Sequence, residues 1–217
     1  MRGGRWRSDT AVQLQPLTQD VKLAQKYYCL EWKGPYCLWP EESNPLPWVI
    51  EATDGHTPGL YIWTLETDSG NAVSYVGITA QDIANRHDEH LRNYLSGKYS
   101  IRGAKVAELL DIKNGKGDYL PERDGLREFL LKHDKLSSIL ISQLKLYRIY
   151  TASVPAGTSK ADLERIESVM IESLRKVPDG ALENFRISRA VPDAARDIDV
   201  QWTGLPVLRG LTVPFKA

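Results

Sequence analysis

Glu167 is the residue of this 217-residue chain whose position most needs a chemical explanation. On a helical wheel of roughly 100° per residue counted from Leu163, Ile166, Met170, Ile171 and Leu174 share one apolar stripe. Glu167 falls inside that stripe, about 40° from Leu163, whereas Arg165 and Glu172 lie on the opposite side. A lone buried carboxylate is costly unless it is ion-paired, hydrogen-bonded or bound to a metal. One reading is a salt bridge or cap partner at the rim of the core. The other is a carboxylate kept inward to do chemistry.

A second group lies on an earlier helix. Ile83, His87, His90 and Tyr94 form its inward stripe, and Arg86 sits at the edge, one turn before His90. A guanidinium there could reach a site outside the sheet or simply snorkel to water. His87-x-x-His90 also has the spacing for two imidazoles on one zinc ion. With no third ligand nearby and no HExxH pattern, packed and hydrogen-bonded histidines are the expectation.

The residues around these helices follow an order. Gly59-Leu60-Tyr61 is followed by Tyr75-Val76-Gly77 and then by Arg86 on the next helix. This resembles the GIY-YIG nuclease superfamily of homing endonucleases, excision-repair nucleases and restriction enzymes. Gly97-Lys98-Tyr99-Ser100 falls where homing endonucleases of this kind carry a His or similar polar residue. LYRIYTASVP resembles their third strand, and Glu167 stands in the place of the family's metal-binding Glu. Asn184 stands where the family has an Asn after that helix. The likeness covers roughly residues 59–188 and departs from the pattern at Ile78, where many members have Lys, and at Tyr99.

The resemblance implies a metal-dependent endonuclease that hydrolyses DNA phosphodiester bonds, with RNA left open as substrate. Glu167 would hold one Mg2+ or Mn2+, because Mg2+ keeps most of its waters and needs few protein oxygens. Arg86 would stabilise charge on the phosphate, and Tyr61 would act as base or water-positioning group. Tyr75, His90 and Asn184 would complete the catalytic set, with Gly77, Lys98, Tyr99 and Arg102 toward the substrate. The alternative is a catalytically weak module of the same fold that binds nucleic acid or another partner.

These residues need elements to position them. GLYIWTLE and VSYVGIT, separated by a turn-rich TDSGNA, read as an antiparallel hairpin. Thr79 to Asp82 looks like a capping signal, and the helix after it should run to Ser96 with Gly97 closing it. Helices are expected over about 101–112 and about 124–144, with a break near Asp134. LKLYRIYTASV should be a strand, and Thr158 or Ser159 should cap a helix ending near Lys176. Upstream, a short helix is expected from Thr18 through Tyr27, then short strands and turns from Cys29 to His56. The tail reads as irregular, with Trp202 and the segment 205–214 laid over the core.

The expected fold is therefore α/β (α+β): a small three-stranded antiparallel sheet flanked by helices, of GIY-YIG type. A lead-in at 1–16 and an N-terminal extension at 17–58 would precede a nuclease domain at 59–190. That domain would carry a helical insert at about 101–143, and an extension at 191–217 would follow. Twenty-eight basic residues balance 28 acidic ones, so no overall basicity signals a nucleic-acid partner. Cys29 and Cys37 form neither a zinc pattern nor a disulfide framework. With no secretory signal and no apolar run of membrane length, a cytoplasmic protein without a membrane partner is expected.

Overall fold

The structure is a computed structural model and describes residues 26–52, 56–68, 70–110, 120, 125–175, 198–206, 208 and 215–216. The described residues form an α+β fold in which helices cover a six-stranded mixed sheet of order β3-β2-β4-β1-β5-β6. The expected hairpin is present. β2 (Gly59–Thr67) and β3 (Gly70–Thr79) pair antiparallel, and β4 (Tyr147–Ser153) lies antiparallel on the other side of β2.

The sheet does not stop at three strands. β1 (Lys26–Cys37) pairs with β4, and its outer side carries β5 (Ile198–Thr203) in parallel, followed by the two-residue β6 (Phe215–Lys216). Tyr27, expected at the end of a helix, is in β1. Trp202, expected in an irregular tail, is in β5. In both places alternation such as Tyr28, Leu30 and Trp32 in β1 or Ile198 and Val200 in β5 outweighs local cues. β1 pairs with strands more than a hundred residues further along the chain, and β5 reaches back across the same distance to pair with it.

Both faces of the sheet are covered, which is why β2 is buried along almost its whole length instead of alternating. On one face Tyr36, Tyr61, Trp63, Leu65, Tyr147 and Ile149 pack under α1 (Ile83–Leu95), α3 (Gly125–Leu131) and α4 (His133–Leu146). On the other, Leu60, Ile62, Val76, Tyr150 and Trp32 pack under α5 (Lys160–Arg175). An irregularity in β1 between Lys33 and Tyr36 lets Trp32 serve one face and Tyr36 the other.

Helix boundaries follow caps. Asp82 accepts a hydrogen bond from the Asn85 amide at the start of α1, and Gly97, at φ +68°, ends the turn after Leu95. Ser159 caps α5 by accepting from the Asp162 amide. Among the described residues of the region expected to be helical over 101–112, the helix is the short α2 (Val106–Leu110), and Ile101 instead forms an isolated bridge with Leu120. The expected long helix over 124–144 is two helices that break at Lys132, two residues earlier than expected, and α4 continues to Leu146. The chain enters β4 only at Tyr147, since Leu144 is needed on the apolar face of α4. No helix among the described residues is long and apolar enough to cross a membrane.

Candidate active site

Three of the sequence-selected residues, Tyr61, Tyr75 and Gly77, meet on one face of the β2–β3 hairpin. Tyr61 faces Gly77 across the ladder, and Trp63 faces Tyr75. Cross-strand partners share a face, so these four side positions look toward α1. Tyr61 is fully buried. Its ring lies directly over Gly77, where an added Cβ would stand 2.3 Å from Cζ and 2.4 Å from the hydroxyl oxygen.

α1 aims two N–H groups at the Tyr61 hydroxyl. His90 Nε2 lies 2.9 Å from it, and Arg86 Nε donates to it at 3.4 Å. Arg86 and His90 are four residues apart, so one helical face presents both. The Tyr75 ring stacks beside that of Tyr61, with centroids 6.0 Å apart. An oxygen with one proton and two lone pairs accepts twice and donates once. Placing the proton on His90 Nε2, where it is donated to Tyr61, leaves Nδ1 a bare lone pair. That Nδ1 is buried without a hydrogen-bond partner, a smaller penalty than an orphaned N–H.

The electrostatics are dominated by burial. Desolvation, followed by the Tyr75 and Glu167 charges, holds the Tyr61 phenol well above its usual range despite Arg86. Tyr75 is raised by burial and then by Glu167. Burial drives the His90 imidazole well below its ordinary value, and the neighbouring His87 and Arg86 add to this. Burial disfavours the Arg86 cation, but the Tyr61 oxygen and Glu89 outweigh it and the guanidinium stays charged. Glu89 also forms an ion pair with Arg86. About a third of the Arg86 side chain remains exposed, which makes it the face that this cluster shows to solvent.

Glu167 arrives from the opposite layer. It is 7% exposed on the apolar face of α5, between Ile166 and Met170 in sequence, as its place in the stripe required. β3 is an edge strand, and α5 lies against it. From that side the Glu167 charge still raises the Tyr61 and Tyr75 phenols.

The remaining choices divide. Tyr99 joins the cluster, with its ring 5.7 Å from His90 and its hydroxyl held by Asn93. Lys98 is exposed on the turn after α1, and the Arg102 amide is bound to the Gln143 side chain. Neither cation is brought to the Tyr61 hydroxyl by these contacts. Asn184 lies outside the described residues. Ile78 is half-buried against the α5 face.

Two residues without an assigned role sit at the centre. Trp63 Nε1 donates to His87 Nε2 at 3.1 Å, and His87 Nδ1 lies 2.7 Å from the Ile83 carbonyl oxygen. His87 is thus neutral with both nitrogens engaged, and burial, with Arg86 adding to it, lowers its pKa to about 4. Those bonds, and not a shared ion with His90, account for the His87-x-x-His90 spacing. The alternation Tyr61-x-Trp63 on a strand was the sequence signal that put Trp63 beside the site.

A second buried carboxylate escaped the wheel. Asp162 Oδ2 accepts from Lys26 at 2.5 Å, Ser159 at 2.7 Å and Tyr28 at 3.1 Å. Burial raises its pKa, but the hydrogen bonds from Lys26, Ser159 and Tyr28 win and hold it below the usual carboxylate value. This group ties β1 to the start of α5, away from the Tyr61 cluster. No protein-family model, no curated protein and no solved structure matches the chain.

Proposed function

We propose that the chain is a GIY-YIG-type endonuclease that hydrolyses DNA phosphodiester bonds at the Tyr61 cluster. The observation that carries the reading is the convergence of Arg86 and His90 on the Tyr61 hydroxyl, with the Glu167 charge reaching the same phenols. The tripeptides Gly59-Leu60-Tyr61 and Tyr75-Val76-Gly77 support it, since they lie on adjacent strands and meet where Tyr61 faces Gly77, which leaves room for the Tyr61 ring.

Each residue then has a role in the chemistry. Arg86, charged and partly exposed, binds a phosphate oxygen and stabilises the charge that grows in the transition state. Tyr61 keeps its proton at neutral pH and acts on the attacking water through hydrogen bonding. Arg86 and His90 fix its oxygen in place. Tyr75 and Tyr99 line the approach. Glu167 would be the carboxylate that holds Mg2+ or Mn2+, since such an ion keeps most of its waters and needs few protein oxygens. A divalent cation there would supply Lewis acidity at a phosphate oxygen and offset the carboxylate charge.

The test is cleavage of plasmid and single-stranded DNA by the purified chain with Mg2+ or Mn2+. Arg86→Ala and Glu167→Ala should each abolish cutting while the protein stays folded. Equal activity in both variants would place the chemistry elsewhere.

One observation favours a second reading, a catalytically weak module that binds nucleic acid or another partner. Tyr61 is wholly buried and its oxygen is already held by His90 and Arg86. DNA binding without cleavage by the wild-type protein would select this reading.

A further inference from the structure

We propose that Trp63 and His87 are positioning residues that clamp the Tyr61 ring against Gly77 and so fix the direction of its hydroxyl. The proposal rests on the nuclease reading for its effect on turnover, but the clamp itself is a property of the fold.

Tyr61 is held on two sides. Beneath it, Gly77 presents only its backbone, and no side chain larger than hydrogen fits. Beside it, the His87 ring stands 4.6 Å away at 65°, an edge-on contact of the kind aromatic rings prefer. A ring held only by such contacts could still turn with its neighbour, and His87 is prevented from turning.

The restraint is made of two directional bonds at opposite corners of one imidazole. The Ile83 carbonyl accepts only if Nδ1 carries the proton, and the Trp63 indole donates only if Nε2 lacks it. Rotating the His87 ring by half a turn would break both bonds inside the core, where neither nitrogen would meet water. The donor, Trp63, is two residues from Tyr61 on the same strand and the same face. β2 therefore supplies both the residue to be aligned and the group that locks its aligner.

The clamp also sets which neighbour can donate to Tyr61. With both its nitrogens occupied, His87 touches the Tyr61 ring but offers nothing to its hydroxyl. Arg86 and His90 are left as the two donors from α1. Freedom in the His87 ring should therefore appear as faster Tyr61 ring flipping and, since a loosened ring lets its hydroxyl drift from Arg86 and His90, as slower chemistry with substrate binding preserved.

The experiment compares the full chain with Trp63→Phe and His87→Phe, using carbon-13-labelled tyrosine and a DNA cleavage assay with Mg2+. Tyr61 ring flipping is expected to quicken at least tenfold in both variants, with Tyr150, on the opposite face of the sheet, within twofold as internal reference. In the cleavage assay kcat should fall at least tenfold with KM within twofold. Unchanged Tyr61 flipping, or equal acceleration of Tyr150, overturns the clamp. Faster flipping with unchanged kcat overturns its role in turnover. A wild-type protein that cuts no DNA refutes the nuclease reading instead, and the flipping rates still decide the clamp. If His87→Phe does not fold, His87→Gln takes its place. Its amide can meet Trp63 but offers no ring to Tyr61, and it should show the same quickened flipping.

Discussion

Tyr61 lies directly across the β2–β3 ladder from Gly77, with its ring over the place where any larger residue would put a Cβ, 2.3 Å from Cζ. The contact joins the two tripeptides that first suggested the site. Gly77→Ala is expected to push the Tyr61 ring off its two α1 donors. Overpacking of this kind costs about 1–3 kcal/mol. Denaturant unfolding measures that loss, and an unchanged midpoint would mean the ring yields freely.

Glu167 raises both phenols of the cluster, second only to burial at Tyr75. Glu167→Gln keeps the shape and removes the charge, so Tyr75 should ionise at lower pH than in the wild-type protein. Carbon-13 shifts of the Tyr75 ring carbon bonded to oxygen follow the titration. A Tyr75 titration that does not move would separate Glu167 from the cluster.

His87 gives the protein a defined response to acid. Its folded pKa, about 4, lies below the ordinary histidine value of 6.5. Between these limits the unfolded chain binds more protons than the folded one, so stability rises with pH across that window. It is complete above about pH 6.5 and falls on acidification by about 3 kcal/mol for a shift of this size. His90, lowered in the same direction, adds to the slope. Unfolding free energies measured at pH 7 and pH 5 should differ, and His87→Phe should flatten the difference by roughly one proton.

Asp162 acts in a lower window with the opposite origin. Its folded pKa is depressed, so its contribution is present above the unfolded carboxylate value and disappears as pH falls through the folded one. Asp162→Ala removes a partner of Lys26, Tyr28 and Ser159 together. The loss should be about 1–3 kcal/mol. Lys26→Met should cost less than about 1 kcal/mol, because a third of the Lys26 side chain already meets solvent. Thermal unfolding of both variants checks the ranking, and equal losses would contradict it.

The helices of the site were legible because their signals are local. The α1 stripe Ile83, His87, His90 and Tyr94 is buried as the wheel implied, and its Asp82 and Gly97 boundaries are chemical caps. The same wheel placed Glu167 among Ile166, Met170 and Ile171. The hairpin was legible because β-rich runs flank a turn. Asp162 was missed because its burial depends on Lys26 and Tyr28, which lie on a strand over 130 residues earlier. The irregular reading of 198–203 failed for a related reason. A strand paired in parallel to β1 has no turn beside it to announce it.

The sequence by itself determined which residues turn inward on each element, since periods of 3.6 and 2 are properties of the backbone. It also determined where α1 and α5 begin, since a cap is made within a few residues. Only the tertiary structure decided that β1 and β5 widen the sheet, that α1 and α5 cover opposite faces, and that Arg86 and His90 meet at the Tyr61 hydroxyl. It also decided that His87 is spoken for by Trp63 and Ile83. Those outcomes depend on strand order and on contacts between distant segments, and no local period encodes either.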